Sequence, residues 1–338
     1  FVSTMKRLLA FNLLALTVTS VHADVATPPP VTQEISSFGA CVTDGHVYVY
    51  GGHTGKTHQH SRDNLSADFL RYPLDKPGAA WEALPQDKAV QGTALVGWNG
   101  LVIRVGGMYA TNARGEKAEL FSTDAVRSYD PKAKAWSDWP SLPKGISSHG
   151  AIVQDDVLYV AGGWKLDGET ADGGTWHEHG WSLDLKNRDQ GWKNLPPMPH
   201  VLRGGNLASV GGEVWWIGGL NEDGTSNATF AYDPKKGSWR EGPEVPATSK
   251  IKAFGNSTFS ADGKLFSSGM DGVLYSLDPA KGEWTTTAVK HQHGRIFHRS
   301  LPVGDKQFWS IAGAAEGGHR NDIEVLPIPG QASDSGKL

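Results

Sequence analysis

A repeated phrase recurs along the 338-residue chain and constrains its fold more than any other feature. Each copy combines a short apolar strand, a Gly-Gly pair, a loop, a Tyr-Asp element and a Trp. The clearest Gly-Gly pairs are Gly51-Gly52, Gly106-Gly107, Gly162-Gly163 and Gly218-Gly219. The tryptophans that end the copies are Trp81, Trp136, Trp192, Trp239 and Trp284. A period of roughly 45–55 residues with strand-like content indicates repeated small antiparallel sheets.

The phrase resembles the kelch repeat, with full Tyr-Asp-Pro elements at Tyr129-Asp130-Pro131 and Tyr232-Asp233-Pro234. This resemblance implies an all-β fold, a six-bladed kelch-type β-propeller in one domain over residues 24–330. The chain is similar in fold and compartment to exported bacterial kelch propellers such as the sialic acid mutarotases, and in fold to galactose-oxidase-like propellers. The predicted blades span about 37–85, 91–143, 148–199, 203–245, 254–287 and 295–328.

The sixth predicted blade is incomplete, because it has no terminal Trp and no fourth strand of its own. Residues 30–35 have the length and the alternation of a strand. We therefore expect this segment to pair with the last blade and to close the ring, which would remove two open sheet edges.

The first 23 residues are typical of an export signal. Met5-Lys6-Arg7 gives a basic start, residues 8–18 are mostly apolar, and Val21-His22-Ala23 is a small-residue cleavage site. Cleavage after Ala23 would release a periplasmic or extracellular protein. Residues 1–4 precede the apparent start, and residues 331–338 are expected to be a flexible tail.

Charge and cysteine content exclude several classes of partner. The formal net charge is −4 and there are no basic runs, which argues against nucleic acid and anionic membranes. No stretch after the signal approaches the length of a membrane-spanning helix. Cys41 is the single cysteine and lies in an apolar strand, so we expect a buried structural thiol. The oxidase chemistry of galactose oxidase needs a crosslinked Cys–Tyr pair, and the position of Cys41 argues against it.

Histidines are the main clue to function. In a meander of strands, the loop that precedes each blade and the loop that follows each Gly-Gly pair lie on the same face, which we call the loop face. Eleven of the 13 histidines map there or to the start of an inner strand. Loops carry binding sites while strands hold them rigid. The leading hypothesis is a binding module for a small polar molecule, a glycan or a protein. Its candidate ligand-binding residues are His53, Trp164, His177, Arg203, Asp271, Arg295, Arg299 and His319.

Two alternatives remain open. The resemblance to sialic acid mutarotases implies a sugar isomerase (a mutarotase or epimerase), with His149 and His298 as candidate acid–base groups and arginines binding a substrate carboxylate. Imidazole also binds Zn²⁺ or Cu²⁺ well, which makes those the candidate metals, although no established metal motif is present. The candidate metal ligands are His58, His60, His177, His179, His291 and His293.

Overall fold

The computed structural model describes residues 27–169 and 173–330. The expected signal (1–23) and tail (331–338) lie outside these residues. The described chain contains strands and two short 3₁₀ helices, Arg62–Asn64 and Arg188–Gln190. Within the same residues, no helix has the length and apolarity needed to span a bilayer.

Six antiparallel sheets follow one another along the chain, each in meander order, and confirm the all-β six-bladed architecture. The first blade contains β1 Gly39–Thr43, β2 His46–Tyr50, β3 Phe69–Pro73 and β4 Glu82–Ala83. The second contains β5 Ala94–Trp98, β6 Leu101–Val105, β9 Val126–Asp130 and β10 Ala135–Asp138. The third contains β11 Gly150–Gln154, β12 Val157–Ala161, β16 His179–Asp184 and β17 Lys193–Pro197.

The remaining blades have the same order. The fourth contains β18 Asn206–Val210, β19 Glu213–Asn221, β20 Gly224–Asp233 and β21 Ser238–Gly242. The fifth contains β22 Ser257–Ala261, β23 Lys264–Ser268, β24 Val273–Asp278 and β25 Glu283–Lys290. The sixth has three strands among the described residues, β26 Arg299–Val303, β27 Gln307–Ala315 and β28 Gly318–Pro327.

Two smaller sheets stand outside the blades and are built from loop-face segments. One joins β7 Met108–Ala110, β8 Leu120–Ser122 and β14 Asp167–Glu169, and so links loops of the second and third blades. The other pairs β13 Trp164–Lys165 with β15 Thr175–Trp176. These pairings give the loops of the second and third blades regular backbone hydrogen bonds.

The Gly-Gly pairs allow the close approach of neighbouring blades. Gly51 and Gly52 have φ values of 68° and 114°, which strain residues that carry a Cβ. A Cβ at Gly51 would also lie 2.6 Å from the Val90 carbonyl oxygen. The pair is therefore needed both for its backbone conformation and for the space it leaves.

The repeated tryptophans connect each blade to the one before it. In five blades the indole N–H of the outer-strand Trp donates to a proline carbonyl of the preceding segment, at 2.7–3.1 Å. The pairs are Trp81–Pro29, Trp136–Pro85, Trp192–Pro140, Trp239–Pro196 and Trp284–Pro243. Each Trp thus packs its ring and also satisfies its one polar group.

Around the central axis, six backbone amides form a closed circle of hydrogen bonds. One residue just before each inner strand has φ between 52° and 68°, donates to its counterpart in the preceding blade and accepts from the next. The donor–acceptor distances are 2.6–3.1 Å. The members of this axial circle are Ser37, Gly92, Ser148, Gly204, Gly255 and Phe297. The bond from Ser37 N–H to the Phe297 carbonyl joins the first blade to the sixth.

The regular closing strand expected over residues 30–35 does not form. Only Ile35 makes an antiparallel bridge, an isolated one with Arg320. The Val31 N–H also donates to the Asn321 carbonyl. Pro28, Pro29 and Pro30 have no backbone N–H, so this part of the segment cannot donate to a ladder along β28. Val31 and Ile35 are instead buried in a core shared by residues of the first and last blades.

We predict that deleting residues 24–35 destabilises the protein strongly. The deletion removes Val31 and Ile35, each contributing about 1.5–3 kcal/mol by burial, and the acceptor of the Trp81 indole. Thermal unfolding measures the loss. Deleting residues 24–27 is the matched control and should leave the melting temperature nearly unchanged. Equal melting temperatures for both deletions would show that the buried segment contributes nothing.

Candidate functional site

The structure separates the sequence-predicted residues into four groups around the loop face. We call them the axial site (His149, Arg299), the seam between the first and sixth blades (His53, His60, His319), and the sixth-blade cluster (Asp271, His291, Arg295, His298). The fourth is the groove between the third and fourth blades, where Trp164 and Arg203 stack on Trp176, a residue that was not among the predicted ones. Their members come from different loops, so the loop face is a set of separate sites.

The axial site lies at the circle of backbone hydrogen bonds. Arg299 and His149 both line a narrow cavity of about 30 Å³ at the circle and a channel of about 370 Å³ bounded by the inner strands. Arg299 donates to the His298 carbonyl at 3.1 Å. Burial lowers the pKa of Arg299 to about 10, and that of His149 to about 3, where Arg299 acts in the same direction. This site combines one guanidinium with a neutral imidazole.

In the seam, a hydrogen bond between the rings of two histidines joins the first blade to the sixth. His53 Nδ1 and His319 Nε2 are 2.9 Å apart, and His53 Nε2 donates to the Gln59 carbonyl at 2.9 Å. The ring centre of His60 lies 5.4 Å from that of His53. Burial lowers the pKa of His53 and of His319, and lowers that of His60 to about 4. These imidazoles are therefore neutral at pH 7 and hold two loops together.

The groove is open to solvent and has a volume of about 530 Å³. Beside it, next to the lining residue Trp176, the Arg203 guanidinium lies 3.8 Å from the Trp164 ring centre and 5.2 Å from that of Trp176. Trp164 is only 5% exposed, so its face is covered by this stack and Trp176 is the aromatic residue that lines the groove. His177 is buried beside it and donates to the Gly145 carbonyl at 2.9 Å.

The sixth-blade cluster is internally paired. Arg295 is fully buried and donates to Asp322 at 3.0 Å, to Glu324 and to the Ala312 carbonyl. His298 is also fully buried, and its Nε2 lies 3.1 Å from the Ser268 hydroxyl.

The Asp271 carboxylate already has hydrogen-bond partners within the fold. It accepts from the Tyr275 hydroxyl at 2.8 Å and from the Thr248 N–H at 3.0 Å. The carboxylates and guanidinium of this cluster therefore already have partners within the fold, and the cluster stabilises the fifth and sixth blades.

The two candidate acid–base groups do not share a site. His149 lies in the third blade beside Gly106, whereas His298 lies in the sixth blade against Ser268. Burial lowers the pKa of both, which keeps them neutral at pH 7. Only His149 lines the axial cavity.

The proposed metal ligands are dispersed as well. Across 27–169 and 173–330, no three His, Cys, Asp or Glu residues are arranged to hold a metal ion. Within the alternating pairs, His177 and His291 are buried while His179 is exposed and His293 half-buried. His58 lies exposed in a turn with φ of 64°.

Sequence reasoning missed most of the groove. Glu178, His200, Glu222 and Asp223 line it together with Trp176. Glu222 and Asp223 occupy the tip of the β19–β20 hairpin, directly after the Gly218-Gly219 strand. Their position after a Gly-Gly pair is the sequence signal that could have identified them.

Because several histidines are buried and neutral, we predict that stability falls in acid. Their folded-state pKa values lie below the unfolded value of about 6.5, so their contribution is complete above pH 6.5 and is lost as pH falls through the folded pKa values of about 3–4. Each such histidine adds up to about 1.4 kcal/mol per pH unit in that window. Urea unfolding from pH 7 to pH 4 measures the slope.

His149→Gln should reduce this slope, whereas substitution of the exposed His200 with Gln should leave it unchanged. A slope that is the same in His149→Gln and in the unsubstituted protein would contradict a neutral buried His149.

Comparison with known proteins agrees with the repeat. The Kelch motif matches residues 35–64 and 203–246. The human Kelch repeat and BTB domain-containing protein 12 is 21% identical over 73% of the chain and 42% of its own length. Mouse Kelch-like protein 23 is 26% identical over 66% of the chain and 35% of its own length. The chain thus spans less than half the length of these curated relatives.

Among solved structures, one titled "Structure of YjhT" superposes with a TM-score of 0.71. It covers 90% of this chain and 97% of its own, at 15% identity, and at that identity the likeness concerns the fold. The matched motif, the kelch-named relatives and the six sheets agree with one another: the chain carries Kelch motifs and has the fold of a kelch-type β-propeller.

Proposed function

We propose that this propeller is a binding module that holds a polar partner, a glycan or a protein surface, in the groove between the third and fourth blades. Kelch-repeat proteins generally act as protein-interaction modules, which supports the broad class. The observation that carries the specific proposal is that Trp176, which lines the open groove, is stacked with Arg203 and Trp164 beside it.

The stack gives the groove a rigid aromatic wall. Trp176 is half-buried and pairs with Trp164 through both the β13–β15 ladder and a ring contact of 5.9 Å. The guanidinium packs against both rings, which limits their motion. A preorganised aromatic group contributes more to binding than a mobile one, because less side-chain entropy is lost on association.

The rim determines the chemistry of the partner. Glu178, Glu222 and Asp223 are exposed carboxylates that line the groove around Trp176. Carboxylates accept hydrogen bonds and attract cations, while an aromatic face stacks on apolar ring surfaces and on cationic groups. A hydroxyl-rich sugar or a basic protein segment fits this combination. An acidic partner would be repelled.

The axial and sixth-blade groups support an enzymatic role less well. A sugar isomerase that used both His149 and His298 would need them to reach one substrate, and they lie in different blades with His298 bonded to Ser268. The binding role needs only groups that are exposed in the groove.

We further propose that the protein works outside the cytoplasm, because residues 1–23 have the three-part pattern of an export signal. The groove partner would then be an extracytoplasmic glycan or protein. N-terminal sequencing of the exported protein is expected to begin at Asp24, and an intact leader on that protein would contradict the proposal.

We predict that Trp176→Ala and the double substitution Glu222→Gln/Asp223→Asn each weaken partner binding by about tenfold or more, since truncating an aromatic anchor costs more than about 1.4 kcal/mol. Glycan arrays and immobilised basic peptides identify the partner, and calorimetry measures its affinity. Asp189→Asn is the matched control, because Asp189 is an exposed acid in the 3₁₀ helix Arg188–Gln190, outside the groove.

Melting temperatures of all variants separate loss of binding from loss of folding. Binding that is the same in Trp176→Ala, in the double variant and in Asp189→Asn would contradict the groove as the site.

A further inference from the structure

Arg299 breaks the symmetry of the propeller at its axis. It is the second residue after the axial circle, where the other five blades have Gly39, Ala94, Gly150, Asn206 and Ser257. Those five residues carry no charge and have small or short side chains. The sixth blade therefore places one long cationic side chain where all six inner strands converge.

The charge of Arg299 is not balanced by the protein. Among residues 27–169 and 173–330, no carboxylate forms an ion pair with it, and its guanidinium hydrogen bond goes to the His298 carbonyl. The guanidinium carbon of Arg299 also lies 5.9 Å from the ring centre of Phe38. Arg295, four residues earlier, has both Asp322 and Glu324. Arg299 is half-buried. Partial desolvation of a cation without a counter-charge is costly, and proteins normally pair such a group.

A second group at the same place also lacks a partner. His149 is 5% exposed, and neither ring nitrogen has a hydrogen bond, although the Val105 carbonyl lies nearby. His149 lines both the axial cavity and the channel, as Arg299 does. Buried polar groups without partners are rare in folded proteins and commonly mark a bound solvent molecule or ion.

We propose that the propeller axis is a binding site for a small monovalent anion, held by the Arg299 guanidinium beside His149. The site differs from the groove between the third and fourth blades in position, in sign of charge and in size. The cavity at the circle, about 30 Å³, accepts a halide or the head of a small carboxylate such as formate.

The anion would act as the counter-ion of Arg299 at the propeller axis. All six N–H groups of the axial circle donate to each other and are not available to a ligand. The attraction at the axis therefore comes from side chains, and Arg299 is the charged one. Binding to the folded state alone stabilises it in proportion to the logarithm of anion concentration above the dissociation constant.

The test compares sodium bromide, sodium formate and sodium gluconate at equal ionic strength by thermal unfolding. We expect bromide or formate to raise the melting temperature saturably above that in gluconate, which is too large for the cavity. A response to both anions identifies a general small-anion site, and a response to formate alone identifies a carboxylate site. Bromide anomalous diffraction should place a peak beside the Arg299 guanidinium when bromide is the anion that binds.

Arg299→Gln should raise the anion concentration at which half of the melting-temperature increase is reached by at least about tenfold, because a hydrogen bond to a charged group is lost. Arg299→Lys keeps the positive charge and should retain part of the anion affinity. Arg240→Gln, which removes an exposed arginine paired with Glu213, is the control for general salt effects and should respond as the unsubstituted protein does.

Equal melting temperatures in all three salts would overturn the proposal, as would an identical response in Arg299→Gln and the unsubstituted protein. If Arg299→Gln does not fold, Arg299→Lys and formate titration of the unsubstituted protein decide the outcome. A saturable anion effect that is unchanged in Arg299→Lys and accompanied by bromide peaks only at the surface would likewise rule out the axial site.

Discussion

The axial circle of six backbone hydrogen bonds is the constraint on which the rest of the structure depends. Each member has φ between 52° and 68°, donates to one neighbouring blade and accepts from the other. Glycine adopts this conformation without steric cost, but Ser37, Ser148 and Phe297 also adopt it. The surrounding packing must therefore impose it, and the circle sets the angle at which every blade leaves the axis. Farther out, the Trp–Pro hydrogen bonds repeat the same blade-to-blade linkage.

The fold could be predicted from the sequence because its signals are local and repeated. A Gly-Gly pair, a Tyr-Asp element and a Trp recur in a fixed order, and each has the same structural use in the blades that carry it. The Trp–Pro bonds were harder to foresee, since their acceptors are backbone carbonyls and carry no side-chain signature. The closing segment lies next to the predicted blade but forms one isolated bridge there, and Pro30, at the start of the predicted strand, has no N–H to donate to a ladder.

The candidate site could be predicted only in part. Sequence position assigns a histidine to the loop face, but alternation along the inner strands decides which seam between blades receives its side chain. His149 and His298 occupy equivalent places in their blades, and each meets the preceding blade, His149 beside Gly106 and His298 against Ser268, so the two lie in separate seams. Pairing across a hairpin is equally invisible in the sequence: Arg295 meets Asp322 and Glu324 only through the register of β27 and β28. Arg299, four residues away, has no such partner.

The contact between Ile35 and Arg320 has a consequence for how the chain folds. These residues are 285 positions apart (320 − 35), and their bridge lies at the boundary of the first and last blades. Contacts of such large separation form slowly, because much chain entropy is lost before they contribute. During synthesis from the N-terminus, Val31 and Ile35 have only the first-blade part of their core until the sixth blade exists. Their apolar side chains therefore remain partly uncovered, and available to chaperones or to an export apparatus, for nearly the whole time that the chain is being made.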